Sequence, residues 1–319
     1  MTIPNKKEKT KKTGLSAQPR WIEFPATRGV QDPVLYDAPL FAAGQFIREG
    51  SRGMTVTRRR TAIAVLALLP AVLLAGIRES KSFHRQAFVS PGQIVSVENV
   101  NGFVSAEAGQ ADSVGVTAEA EVRGRHRREV ERILERIRIN VETRTEGVFI
   151  EADVPKSRHA DGFLGFLFGR RTQVNVTFHV RVPLRCRLAL HTVNGEVHAI
   201  GIQGEVKLRS VNGNVSAEET AGTVDAATTN GCVRMNVAKL GAADRLVGRT
   251  TNGCVEVTLP EKGDADVTLS TVNGKVWTDF PVTLKWGISG KRIRGTIGKG
   301  GAEIRAETVN GEVRLMKAK

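Results

Sequence analysis

Residues 188–275 contain no phenylalanine, tryptophan or tyrosine. Aromatics make up 5% of the 319 residues, and tyrosine occurs once. A two-sheet sandwich about 10 Å thick fills its interior with larger side chains, so this scarcity argues against one. Three cysteines are too few for a disulfide framework. Catalytic signatures are missing as well. The histidines at 84, 126, 159, 179, 191 and 198 have no metal-ligand spacing. There is no G-x-S-x-G elbow and no Walker loop. Glu196, Glu205, Glu218 and Asp225 are scattered, whereas glycoside hydrolysis needs a carboxylate pair. The "GKGG" at 298–301 lies between strands and reads as a glycine turn. The sequence therefore assigns no catalytic residue, no metal ligand and no cofactor.

The net charge is +14. About +8 of it falls in residues 1–82 and about +6 in the longer remainder. That dilution excludes nucleic acid as the expected partner. Residues 1–57, with the lysine run "NKKEKTKK", show no periodicity and read as a disordered basic tail. Met54 is an alternative start. Residues 58–78 hold one uncharged run of 17, from Thr61 to Ile77, behind Arg58, Arg59 and Arg60. Its length is at the short limit for spanning a hydrocarbon core of about 30 Å. Two readings stay open, an uncleaved transmembrane anchor and a signal peptide. Both put residues after 78 outside the cytoplasm, with arginines on the inner flank. The expected location is the cell envelope: single-pass in the inner membrane, or periplasmic or secreted if cleaved.

What is abundant is one phrase. "TVNGEV" stands at 192–197 and again at 308–313, with "SVNGNV", "TTNGCV" twice, "TVNGKV" and "NVNGFV" as variants. The Asn-Gly pairs are Asn101 and Gly102, Asn194 and Gly195, Asn212 and Gly213, Asn230 and Gly231, Asn252 and Gly253, Asn273 and Gly274, Asn310 and Gly311. From 193 to 235 the chain repeats every nine residues, with glycines at 195, 204, 213, 222 and 231 and valines two positions on. Apolar and polar residues alternate strictly, the mark of strands with one buried face. Asparagine recurs at twice that period, which signals a repeat architecture.

Two architectures fit. In an antiparallel meander each Asn-Gly is a type I′ hairpin turn. In a solenoid, two strands make one coil, and each asparagine stacks on its counterpart one coil away at about 4.8 Å. The aromatic-free interior favours a parallel β-solenoid, all-β and β-helix-like, over residues 86–319. One helix interrupts it near residues 126–138, where Val130, Ile133, Leu134 and Ile137 form an apolar face. Arg127, Arg128, Arg132 and Arg136 form the opposite, basic face. The phrase then reads as a structural turn, since a single active site does not recur in every coil.

Two further features are candidate sites. Cys232 and Cys254 fill the same slot of two phrases, and in adjacent coils they are close enough for a disulfide. "FLGFLFGRR" gathers Phe163, Leu164, Phe166, Leu167 and Phe168 before Arg170 and Arg171. Such a loop suits a membrane interface or a partner, unless its apolar groups fold back under the sheet.

The "VNG-x-V" phrases, the "RVP" at 181–183 and the ending "GTIGKGGAEIRAETVNGEV" resemble the bacterial putative-adhesin β-strand-repeat family, over about residues 90–317. The resemblance implies a β-helix-like fold, an envelope location and no defined biochemical activity. The function expected is a non-enzymatic envelope scaffold or binding surface. Its partners would be the membrane through the N-terminal helix, and an envelope protein, a cell-wall polymer or lipid. The alternatives are an envelope-stress sensor or regulator, with the N-terminal tail as output, and a polysaccharide-active β-helix enzyme.

Overall fold

The structure is a computed structural model and describes residues 77–90, 92–110, 112–155, 172–284 and 291–318. The tail at 1–57, the apolar run through residue 76 and the 163–171 loop lie outside the described residues.

The repeats build a parallel solenoid with two β faces. Strands before each phrase stack on one face, and strands after it on the other. Arg187–His191, Gln203–Arg209, the second half of Val215–Asn230, Arg245–Asn252 and Ala302–Asn310 are consecutive parallel neighbours on the first face. Val197–Ile200, the first half of Val215–Asn230, Val233–Lys239, Val255–Leu259 and Val313–Lys317 follow the same order on the second. The strands flanking a phrase do not pair with each other, so the meander is excluded.

Period-two alternation places the core. Val197, Val206, Val215, Val224 and Val233 are fully buried between the faces, with Ala199, Leu208, Ala217 and Ala226. A narrow interior takes small β-branched groups and leaves no room for rings. The buried phenylalanines sit toward the ends instead. Phe178 belongs to Gln173–Pro183, which joins the N-terminal coil to the antiparallel strand Ser113–Gly124, and Phe280 follows the last coil at the other side.

The coil order departs from the order of the chain. Residues 302–317 pair with 245–259 on one side and with 265–278 on the other. The last phrase in sequence is therefore the next-to-last in space. Ala265–Asn273 pairs antiparallel with Arg292–Ile297, so that hairpin forms the terminal rung and the final segment fills the place beside it. A similar insertion occurs at the start. Ile94–Glu98 lies between Arg187–His191 and Gly147–Asp153, and Val104–Gly109 lies between Val197–Ile200 and Gln173–Pro183.

The β domain begins at Ile77, nine residues before the expected boundary at 86. Ile77–Phe88 pairs antiparallel with Ser113–Gly124 along its whole length. Ile77 and Arg78, expected within the membrane segment, are its first residues. This outer strand points Glu79, Lys81 and Arg85 toward the half-buried side. Inward charges on an edge strand discourage pairing with another chain.

The helix is Arg127–Arg136, with His126 and Ile137 as its flanking residues. Val130 and Ile137 are buried, and Ile133 and Leu134 pack against the core. The helix lies against Ser113–Gly124 and Ile77–Phe88, and so covers the end of the stack. Its arginines are exposed; Arg127 pairs with Glu131 at 2.8 Å and Glu79 at 3.5 Å. Among the described residues, no helix is long and apolar enough to cross a membrane.

Candidate functional site

Each phrase is a corner between the two faces, and three of its residues form files along the stack. The asparagine side chains make the first. Asn194 donates through Nδ2 to Asn101 Oδ1 at 2.8 Å, Asn212 to Asn194 at 2.8 Å, and Asn230 to Asn212 at 2.8 Å. Asn252 donates to Asn230 at 2.9 Å, Asn310 to Asn252 at 2.8 Å, and Asn273 to Asn310 at 2.9 Å. All seven form one polar ladder with a single direction. Among the described residues only Glu219 is a non-glycine with positive φ, so these asparagines are not in I′ geometry.

The glycines make the second file. A Cβ added at Gly195 would stand 2.0 Å from the Gly102 carbonyl oxygen, and one at Gly253 2.0 Å from that of Gly231. Backbone meets backbone here, so no side chain fits. The third file is Ser or Thr two residues before each asparagine. Ser210 Oγ donates to Gly195 O at 2.9 Å, Thr228 Oγ1 to Gly213 O at 2.8 Å, Thr250 to Gly231 O at 2.9 Å and Thr308 to Gly253 O at 2.9 Å. These hydroxyls are buried and satisfied. Sequence reasoning passed over them, although a Ser or Thr stands at that position in six of the seven phrases. The seventh, Asn99, reaches Gly102 O at 3.4 Å and Val176 O at 2.7 Å through Nδ2.

Replacing Asn230 by alanine removes one donated and one accepted ladder bond. At a net 0.5–1.5 kcal/mol per bond, the expected loss is about 1–2 kcal/mol, because the site is exposed and water partly compensates. Denaturant unfolding of Asn230→Ala beside the parent measures it.

Cys232 and Cys254 are bonded, with Cα atoms 4.6 Å apart. They lie in the column just after the glycines, where Asn214 Nδ2 also donates to Glu196 Oε1 at 3.0 Å. Cys186 is free and buried, and burial pushes its thiol up to about 11. The thiolate is the nucleophile, and a raised value keeps the thiol protonated at neutral pH. Native protein at pH 8 is expected to leave Cys186 unmodified by iodoacetamide, with labelling only after denaturation; mass spectrometry of the labelled peptide reads this.

The outward columns differ from coil to coil. On the second face one row runs Ser105, His198, Ser216, Arg234, Glu256, Arg314 and Trp277. Phe103 stands beside it, edge-on to His198 at 4.9 Å and 5.8 Å from His179. Ser105 Oγ lies 2.8 Å from His179 Nδ1. Cross-coil ion pairs such as Arg234–Glu256 at 3.0 Å and Arg245–Glu303 at 2.9 Å link neighbours. Exposed pairs of this kind add little stability. Lys207, then Arg187, hold the Glu205 carboxyl below its usual range through hydrogen bonds. At the far end Trp277, Val272 and Val309 are exposed apolar groups.

A shallow cleft of about 160 Å³ opens on the first face, lined by Ser96, Glu98, Asn140, Glu142, Arg144, Phe149 and Glu151. Glu98 and Glu151 are in register on neighbouring strands. Glu142 is tied to Arg144, whose guanidinium lies 4.8 Å from the Phe149 ring centroid. This cluster was not legible in the sequence, because it draws on strands separated by more than forty residues. Among the described residues, no group of three His, Cys, Asp or Glu is placed to hold a metal ion.

Residues 169–316 match the family model described as Toastrack DUF4097. No curated protein matches the sequence. Among solved structures, one described as a putative cell adhesion protein from Clostridium sporogenes is 13% identical, covers 75% of this chain and 100% of its own, and has a TM-score of 0.40. A putative adhesin from Bacteroides fragilis is 10% identical, with coverage of 75% and 97% and a TM-score of 0.32. A putative lipid binding protein from Parabacteroides distasonis is 9% identical, with coverage of 75% and 97% and a TM-score of 0.27. These scores are too low to carry an argument about activity. The family match covers the regular coils, so residues 169–316 are similar to a Toastrack DUF4097 domain.

Proposed function

We propose that the solenoid is a non-enzymatic binding scaffold of the cell envelope, delivered outside the cytoplasm by the segment that runs from residue 58 up to Ile77. One observation carries this reading. The residues that repeat are consumed by coil-to-coil contacts: asparagine in the ladder, glycine at the close approach, Ser or Thr on the glycine carbonyl. What distinguishes one coil from the next is its outward column, and those columns form broad, open faces rather than an enclosed chamber. Such a surface suits an extended partner engaged along its length. The inter-coil disulfide supports an oxidising compartment.

Two experiments test the proposal. Protease added to intact spheroplasts should degrade a C-terminal epitope, whereas protection of that epitope would place the domain inside. Purified protein should co-sediment with cell-wall polymer or anionic vesicles. Replacing Phe163, Phe166 and Phe168 by serine separates a loop-borne contact from one carried by the faces. No co-sedimentation with either would sink the scaffold reading.

A second reading, polysaccharide hydrolysis, is favoured by the Glu98–Glu151 register alone. Both residues are exposed, whereas a glycosidase acid sits in apolar surroundings. Release of reducing ends that disappears in Glu98→Gln would support it; no release is the outcome expected.

A further inference from the structure

The seven Asn-Gly pairs are chemically alike but differ in how their backbone is held. In six of them the glycine N–H donates to the asparagine carbonyl of the next coil. Gly102 donates to Asn194 O at 2.8 Å, Gly195 to Asn212 O, Gly213 to Asn230 O and Gly231 to Asn252 O at 2.9 Å each. Gly253 donates to Asn310 O and Gly311 to Asn273 O, both at 2.9 Å. Gly274 is the exception: it stands at the last coil, and among the described residues its N–H has no acceptor. It is also the one exposed glycine of the seven, the other six being half-buried. Asn273 ends the ladder as well. Its Nδ2 donates to Asn310, and no asparagine lies beyond to donate to its Oδ1.

We propose that Asn273 is a self-modification site, converting to aspartate and isoaspartate through a cyclic imide while the other six phrases are protected by the stack. The Gly274 amide nitrogen yields its proton to solvent base and attacks Cγ of Asn273. The N–Cγ bond forms, the Cγ–Nδ2 bond breaks, and ammonia leaves. Water then opens the five-membered imide at either carbonyl. Glycine favours this attack because it has no Cβ to hinder it. In the interior pairs the same nitrogen is engaged on the neighbouring coil, and the peptide cannot turn toward its side chain without parting two coils. The product carries a negative charge at the rim of the stack and has no amide to donate to Asn310. Which end reacts is set by geometry. Asn101 ends the ladder on the other side, yet Gly102 is engaged, so Asn101 is protected.

The test is incubation of the full-length native protein at mildly alkaline pH in water enriched in oxygen-18, followed by tryptic peptide mass spectrometry. The peptide 263–275 holds Asn273 alone, and 306–314 holds Asn310 alone. Isotope uptake at Asn273 is expected to exceed that at each of the other six by roughly tenfold or more, since those need local opening before they react. In urea the difference should collapse, which separates the fold's effect from that of neighbouring residues. Equal rates at all seven in the folded protein, a protected Asn273, or a preference that persists in urea would each overturn the proposal.

Discussion

Gly213→Ala unfolds the middle of the stack. A Cβ at this position would lie 1.9 Å from the Gly195 carbonyl oxygen and 2.4 Å from its carbon. Both are backbone atoms, so no side chain can swing aside. Relief requires the two coils to separate. Separation breaks the Asn212–Asn194 bond and the Ser210 bond to the same Gly195 oxygen. It also opens the interior around Val197 and Val215, both fully buried. The expected loss exceeds about 3 kcal/mol, in the range reserved for defects in packed backbone or core. Gly109→Ala is the matched control. Its added Cβ would meet Val182 O at 3.7 Å, an ordinary contact, so its stability should change by less than about 1 kcal/mol. Circular dichroism in denaturant compares the two. Similar behaviour of both variants would mean that the coils do not approach closely at Gly213.

Removing the disulfide is the second large effect. The Cys232–Cys254 bond closes a loop of 22 residues. In the chain-entropy account a loop of that size is worth about 3 kcal/mol, because the bond restricts the unfolded chain more than the folded one. The double replacement Cys232→Ser with Cys254→Ser should lower unfolding free energy by that amount. Reduction of the parent should reproduce it. The folded coils should survive, because the ladder bond from Asn252 to Asn230 and the strand pairing beside it do not depend on sulfur. Non-reducing peptide mapping should show 210–234 joined to 250–262. If the variant is as stable as the parent, the bond is not formed in the protein.

Much of the fold is legible in the letters. Val197, Val206, Val215, Val224 and Val233 declare their burial by position alone, because period-two alternation leaves them a single face. The ladder is legible for a related reason. Identical residues at a fixed spacing become spatial neighbours in any parallel stack, and the missing aromatics select the stack over the sandwich. The order of the last coils is different. The spacings from 252 to 273 and on to 310 suit a simple continuation equally well. What decides the order is that 265–273 takes 292–297 as an antiparallel partner, which leaves its other edge for 302–310. Long-range pairing of this sort has no local signal. The Glu98 and Glu151 register depends on the corresponding insertion at the start of the stack and was hidden for the same reason. The Ser and Thr clamps are the opposite case: the signal is present in six of the seven phrases, but a small hydroxyl in a valine-rich phrase reads as filler until its acceptor is seen.

Insertion at both ends has a consequence for folding. The central coils pair with near neighbours in sequence, but each end waits for a distant segment. Non-local pairing carries a larger closure cost before it is rewarded. The ends should therefore be the last parts to become protected, with the interior corners the first.

Engineered cysteines in the ladder test the stacking order most directly. In full-length protein, the pairs Asn252→Cys with Asn310→Cys, Asn310→Cys with Asn273→Cys, and Asn252→Cys with Asn273→Cys are oxidised and mapped. Adjacent coils bring Cα atoms within the span that a disulfide accepts, whereas a separation of two coils, about 9.6 Å, does not. The first two pairs should cross-link and the third should not. Cross-linking of 252 to 273, with none between 252 and 310, would show the coils following the order of the chain.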